Sequence, residues 1–78
     1  MYYVYFYDLK PIKPENYNRL KRKFYYQMNK LTIPDMSWKT KSVIVITPQY
    51  EQILDHFFNS FKPNIEVYKV QANFIEEL

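Results

Sequence analysis

The chain has 78 residues with neither cysteine nor glycine, so no disulfide framework or thiolate zinc site can reinforce its core. The missing glycines also exclude phosphate-cradling P-loops, dinucleotide-binding turns and nucleophile elbows, which need backbone conformations that only glycine adopts cheaply. Formal net charge is +3, yet Lys10 to Lys41 holds nine Lys/Arg against Glu15 and Asp35, a net of +7, while Ser42 to Leu78 holds two lysines against five acids, a net of −3. A polyanion-binding surface and a basic, solvated helix both account for that asymmetry. A domain this small hides only about 60–65% of the surface its unfolded chain exposes, which makes association of two copies an expectation from length alone. The apolar runs are short and broken by charge, and Met1-Tyr2-Tyr3 has no basic leader character, so the expectation is one soluble, cytoplasmic domain over residues 1–78 with no membrane contact.

Tyr2 to Asp8 is a run of β-favouring side chains, with Tyr3, Tyr5 and Tyr7 on one face and Tyr2, Val4, Phe6 and Asp8 on the other, and it reads as a strand buried on both sides. Lys10 to Pro14 interrupts it, and Pro14 followed by Glu15 predicts a helix that continues to about Leu31. Tyr17, Leu20, Phe24, Met28 and Leu31 form its apolar stripe, and Arg19, Lys21, Arg22, Lys23 and Lys30 its outer surface. Ser42 to Thr47 reads as a central strand, preceded by a shorter one within Asp35 to Thr40 and joined to it by a bend or bulge. Thr47 is the expected N-cap of a second helix with Pro48 at its first position, and Tyr50, Ile53, Leu54, Phe57, Phe58 and Phe61 recur at helical spacing. Ile65 to Ala72 returns as a strand after the Lys62-Pro63-Asn64 break, and an acidic tail follows.

That order, β-α-β-β-α-β, predicts an α+β, ferredoxin-like domain: a four-stranded antiparallel sheet with both helices on one face. The other face then needs a cover. Alternating Tyr3, Tyr5 and Tyr7 suit either a stack of nucleic-acid bases or a second protomer packed sheet to sheet, and the row has few cations within it, which favours the homodimer. Both rows of the strand are apolar enough to meet the helices, so periodicity alone does not choose between them. Arg19, Arg22 and Lys23, with Lys39 and Lys41 beside Trp38, are the candidate nucleic-acid-binding residues; ordinary helix solubility explains the first three equally well. Trp38 either stacks on a base or packs on the first helix. His56 falls among polar residues of the second helix and reads as solvated, and no histidine-based metal site or nucleophile–base pair can be built.

The segment Tyr5-Phe6-Tyr7-Asp8-Leu9, the basic helix after it, and Trp38-Lys39-Thr40-Lys41-Ser42-Val43 entering the central strand resemble the small CRISPR-associated protein that partners the spacer-acquisition integrase. The virulence-associated interferase toxins are similar less closely. The resemblance implies the ferredoxin-like fold, a sheet-to-sheet homodimer in antiviral defence, an integrase partner, and either a structural adaptor role or metal-dependent nuclease activity. At the position where that family carries Phe-Glu-Gly, this chain has Ile44-Val45-Ile46. In the enzyme reading Asp8 is the catalytic and metal-binding residue. One carboxylate does not hold Mg²⁺, which takes octahedral oxygen coordination, so Asp8 of both protomers would share the ion, activating water against a phosphodiester. A strand-end acid capping a turn is the plainer role for Asp8, and a backbone-bonded strand serine the plainer role for Ser42. The expectation carried forward is a dimeric nucleic-acid-binding adaptor, with the Mg²⁺-dependent endonuclease as its alternative.

Overall fold

In the computed structural model, which describes every residue from Met1 to Leu78, β1 (Tyr2–Leu9) is followed by α1 (Tyr17–Lys30), β2 (Ser37–Thr40), β3 (Val43–Ile46), α2 (Glu51–Asn59) and β4 (Ile65–Ala72). The strands form one antiparallel sheet in the order β2-β3-β1-β4, so β1 is central and pairs with both β3 and β4. Phe24 of α1 and Phe58 of α2 both pack on the ring of Tyr7, at centroid separations of 5.0 and 5.4 Å. Both helices therefore cover the same face, as in the ferredoxin-like arrangement that the element order predicts. With Cα extents of 39 × 26 × 17 Å the molecule is one sheet and one helix layer thick, and the second sheet face carries no helix.

Proline sets the start of each helix differently from the expectation. Pro14–Asn16 and Pro48–Tyr50 are single 3-10 turns, and Asn16 and Tyr50 then sit near φ −90°, ψ 1° and φ −104°, ψ 7°, so the α ladder begins only at Tyr17 and Glu51. Thr47 holds the cap position, but its hydroxyl makes no capping bond and is buried without a partner, while its carbonyl accepts from the Tyr50 N–H at 3.2 Å. Between β2 and β3 the pairing slips from Trp38↔Ile44 to Thr40↔Val43, an irregularity within the ladder, and the strands are joined by the two-residue turn Lys41-Ser42 where a bend or bulge was expected. Asp35, at φ 63°, occupies the left-handed region in the turn before β2, a place where Asp is tolerated in a chain without glycine.

The core is aromatic at its centre. Phe24 is fully buried and its ring lies 5.0–5.2 Å from those of Tyr7, Tyr25, Phe57 and Phe61, mostly tilted or edge-on as ring quadrupoles prefer. Leu54, Met28, Ile44 and Ile46 complete it with no exposed surface or nearly none. On α1 the expected stripe is narrower than the periodicity suggests: Phe24 and Met28 are buried, Leu20 and Leu31 flank the core, and Tyr17 is exposed.

The face assignment of β1 is corrected. Tyr5 and Tyr7 are 1% and 7% exposed and point into the helix layer with Leu9, and Tyr3 packs against the same cluster. This row therefore cannot be the interface on the helix-free face. That face presents the opposite row, Tyr2, Val4, Phe6 and Asp8, and the strand is not buried on both sides: Phe6 is 43% exposed. The hydroxyls explain how tyrosine serves a core position. Each ring is buried while its oxygen reaches the edge of the helix layer, where Tyr5 donates to Asp55 Oδ1 at 2.6 Å and Tyr7 donates to the Lys41 carbonyl at 3.0 Å.

Candidate nucleic-acid interface

The four ion pairs of the molecule use only Lys10 and Lys69. Arg19, Lys21, Arg22, Lys23, Lys30, Lys39 and Lys41 have no acidic partner, because Glu15 and Asp35 are the only acids in that stretch and neither is paired with them. Uncompensated cations on α1 and on the β2–β3 turn give this flank a positive field.

Within the flank, Lys21, Tyr25 and Asn29 recur at i, i+4 and i+8, which places them in one row along α1. Facing them across a cleft of about 540 Å³ are Trp38 and Thr40 of β2 and Lys41 of the turn. The cleft contains no carboxylate. Trp38 keeps 38% of its surface exposed while its ring lies 6.1 Å from that of Tyr25 and 6.2 Å from that of Tyr7, so it packs on the first helix and still shows an accessible part. The hydroxyls of Tyr7 and Tyr25 both approach the Lys41 carbonyl, at 3.0 and 3.2 Å, and hold the turn against α1. Burial first, and then the hydrogen bond with Tyr25, pushes the Tyr7 hydroxyl pKa up from its ordinary value.

The expected basic residues divide into groups. Lys41 lines the cleft, and Arg22 lies beside it in an adjoining hollow shared with Asn18, Lys21 and Tyr25. Arg19 and Lys23 fall on the other flank of α1, where they line a separate hollow of about 290 Å³ with Ile12 and Asn64. Lys39 is exposed at the register slip of β2 and does not line the cleft. Lys21, Tyr25, Asn29 and Thr40 line the cleft and are not among the expected site residues. The i, i+4, i+8 spacing of Lys21, Tyr25 and Asn29 was the available signal, but only the fold shows which strand they face.

Asp8 stands elsewhere, at the end of β1 on the helix-free face. Its carboxylate is 70% exposed and pairs with Lys10 Nζ at 3.3 Å; the same ammonium lies 4.0 Å from Glu66, the cross-strand neighbour of Asp8. Glu66 also accepts a hydrogen bond from Tyr68 Oη at 2.6 Å. One chain thus offers two neighbouring carboxylates to a cation, with a lysine ammonium already paired to both, and no three His, Cys, Asp or Glu side chains converge anywhere. For Mg²⁺ this donor set is incomplete within one protomer. Ser42 lies in the turn rather than in a strand, and its N–H donates to Thr40 Oγ1 at 3.2 Å. His56 is exposed, as expected.

A second network ties α2 to the sheet. Lys69 Nζ bonds Glu51 Oε2 at 2.5 Å and Asp55 Oδ2 at 2.8 Å, and Asp55 accepts from Tyr5. The hydrogen bonds to Asp55 and Glu51 raise the pKa of Lys69, while burial, reinforced by Asp55, raises that of Tyr5. Every polar group here is matched by another within the chain, which marks the cluster as structural.

No protein-family model, curated protein or solved structure matches this chain. The fold class is that of a small ferredoxin-like α+β domain, and no helix in it is long and apolar enough to cross a membrane. The likeness to the spacer-acquisition protein rests on the short segments Tyr5–Leu9 and Trp38–Val43 and the basic helix between them.

Proposed function

We propose that this protein is a nucleic-acid-binding homodimer, with nucleic acid held on the flank formed by α1 and the β2–β3 turn and the second copy on the helix-free face of the sheet. One observation carries the nucleic-acid reading: seven lysines and arginines between Arg19 and Lys41 have no acidic partner. Cations that are already matched within a protein gain little from phosphate, whereas unmatched ones release counterions from a polyanion when they bind it. The helix-free face has the opposite character. It exposes Tyr2, Phe6, Tyr68 and Val70, and the charges at its β1–β4 end are Asp8 and Glu66 with Lys10 between them. An apolar surface bordered by acids suits another protein surface better than a phosphate backbone.

The test is fluorescence anisotropy with a labelled oligonucleotide over a salt series, for the wild type and for a variant with Lys21, Arg22 and Lys41 changed to Gln. Binding that weakens with salt, and a log–log salt slope that falls by about one for each phosphate contact removed, supports the reading. Affinity indifferent to both overturns it. The Mg²⁺-dependent endonuclease using Asp8 of both protomers has one observation in its favour, that Asp8 projects from the face assigned to the second copy. An acquisition-machinery role with an integrase partner extends the main reading and is supported by the two short segments already named.

A further inference from the structure

Single-stranded nucleic acid differs from a duplex in offering unstacked base faces beside its phosphates, and the α1–β2 cleft has a group for each. Trp38 lines the cleft, is 38% exposed, and has its ring 6.1 Å from that of Tyr25, which lines the same cleft, and 6.2 Å from that of the buried Tyr7. Lys21 enters from the helix and Lys41 from the turn, and Asn29 and Thr40 add neutral hydrogen-bonding groups able to meet a base edge or a sugar. The cleft, about 540 Å³, is open to solvent along much of its extent, so a strand can cross it without being enclosed. The cleft is also preformed, since the tyrosine hydroxyls that hold the Lys41 carbonyl fix the turn opposite α1. A bound nucleotide meets little ordering cost there.

Resting on the nucleic-acid reading above, we infer that the preferred ligand is single-stranded, with one base stacked on Trp38 in the α1–β2 cleft and its phosphate between Lys21 and Lys41. The absence of any carboxylate in the lining is the charge complementarity that commits the cleft to an anion, and the indole commits it to one that carries a planar face. A base-free polyanion satisfies only the first requirement. A duplex presents phosphates but keeps its bases stacked on one another, so it satisfies only the first as well.

Trp38 is the sole tryptophan, so its fluorescence reports on the site without a label. Titration with a twelve-nucleotide oligo-dT or oligo-U is expected to quench it, and the same oligonucleotide is expected to bind more tightly than its duplex. Trp38→Ala is expected to weaken single-strand binding about 5- to 150-fold, the range for loss of one base–aromatic stack, while leaving duplex binding unchanged. Because Trp38 also packs on Tyr25, Trp38→Phe serves as the control: it keeps the fold and restores most of the affinity. Lys21→Gln and Lys41→Gln, at exposed positions, are expected to weaken single-strand and duplex binding alike. Salt-dependent binding with equal affinity for single strand and duplex, full competition by inorganic polyphosphate, and no quenching would overturn the cleft proposal while the nucleic-acid reading stood. No binding of any oligonucleotide at low salt would overturn both.

Discussion

The hydroxyl of Tyr25 lies 3.1 Å from that of Tyr7, and the two share the carbonyl of Lys41 as an acceptor. Two hydroxyl protons satisfy two of these three contacts at a time, and in every arrangement the pair links α1, β1 and the β2–β3 turn. The same turn is tied to β1 by a backbone bond from the Tyr7 N–H to the Ser42 carbonyl at 3.1 Å, so Tyr7 holds it through both its backbone and its side chain. Through this clasp the core fixes the backbone of a residue whose side chain faces the basic cleft. Fold and candidate site thus meet at Tyr7, whose ring is in the core and whose oxygen is at the turn.

Alkaline pH is predicted to unfold the domain early. Tyr5 and Tyr7 have raised pKa values in the folded state, chiefly from burial, and Lys69 has a raised one from its bonds to Asp55 and Glu51. The unfolded chain releases these protons near pH 10, where the folded chain still holds them, so stability is fully present below pH 10 and is lost as pH rises beyond it. Each buried tyrosine contributes a slope of up to about 1.4 kcal/mol per pH unit. Melting temperature measured from pH 8 to 11 should fall steeply above 10, and Tyr5→Phe should flatten the fall by about one proton. Nine tyrosines that all ionise near pH 10 with the fold intact would contradict this.

Substitution on the helix-free face is predicted to separate the copies without unfolding them. Phe6 is 43% exposed in the single chain, so Phe6→Lys removes little from the core, yet it places a cation at the centre of the proposed interface beside Tyr68, its cross-strand partner. Light scattering at micromolar concentration should give a dimer mass for the wild type and a monomer mass for Phe6→Lys, with the circular dichroism of the two alike. A wild-type monomer would remove the dimer from the account, and with it the shared metal site.

Much of this architecture was legible in the sequence. β4 runs from Ile65 to Ala72 as expected, and the element order alone led to the sheet topology. The face of β1 was misassigned although its signal was present: the row of Tyr3, Tyr5 and Tyr7 continues into apolar Leu9, whereas the row of Tyr2, Val4 and Phe6 ends in Asp8, which could not be buried unpaired. The cleft was not legible. It depends on which strand α1 lies against, a long-range apposition of Lys21 with Lys41 that no local pattern encodes. Trp38 was singled out, but its partners Tyr25 and Asn29 were hidden in a helix dominated by its charges.

Divalent cations distinguish the adaptor from the endonuclease. Within one chain Lys10 is paired with Asp8 and lies near Glu66, so the main reading expects Mg²⁺ or Mn²⁺ to change the melting temperature of the wild type and of Asp8→Asn equally. A rise confined to the wild type, with phosphodiester cleavage that Asp8→Asn abolishes, would instead establish the shared carboxylate site. Asp8→Asn itself should cost no more than about 1 kcal/mol, as expected for an exposed ion pair.

Mapping of backbone and indole N–H chemical shifts during titration with a single-stranded oligonucleotide tests the central claim most directly, because it locates the ligand on the protein residue by residue. The account predicts the largest changes at Lys21, Arg22, Tyr25, Lys41 and the Trp38 indole, fading as salt is added. Changes confined to Tyr2, Phe6, Tyr68 and Val70 would place the nucleic acid on the helix-free face and contradict it.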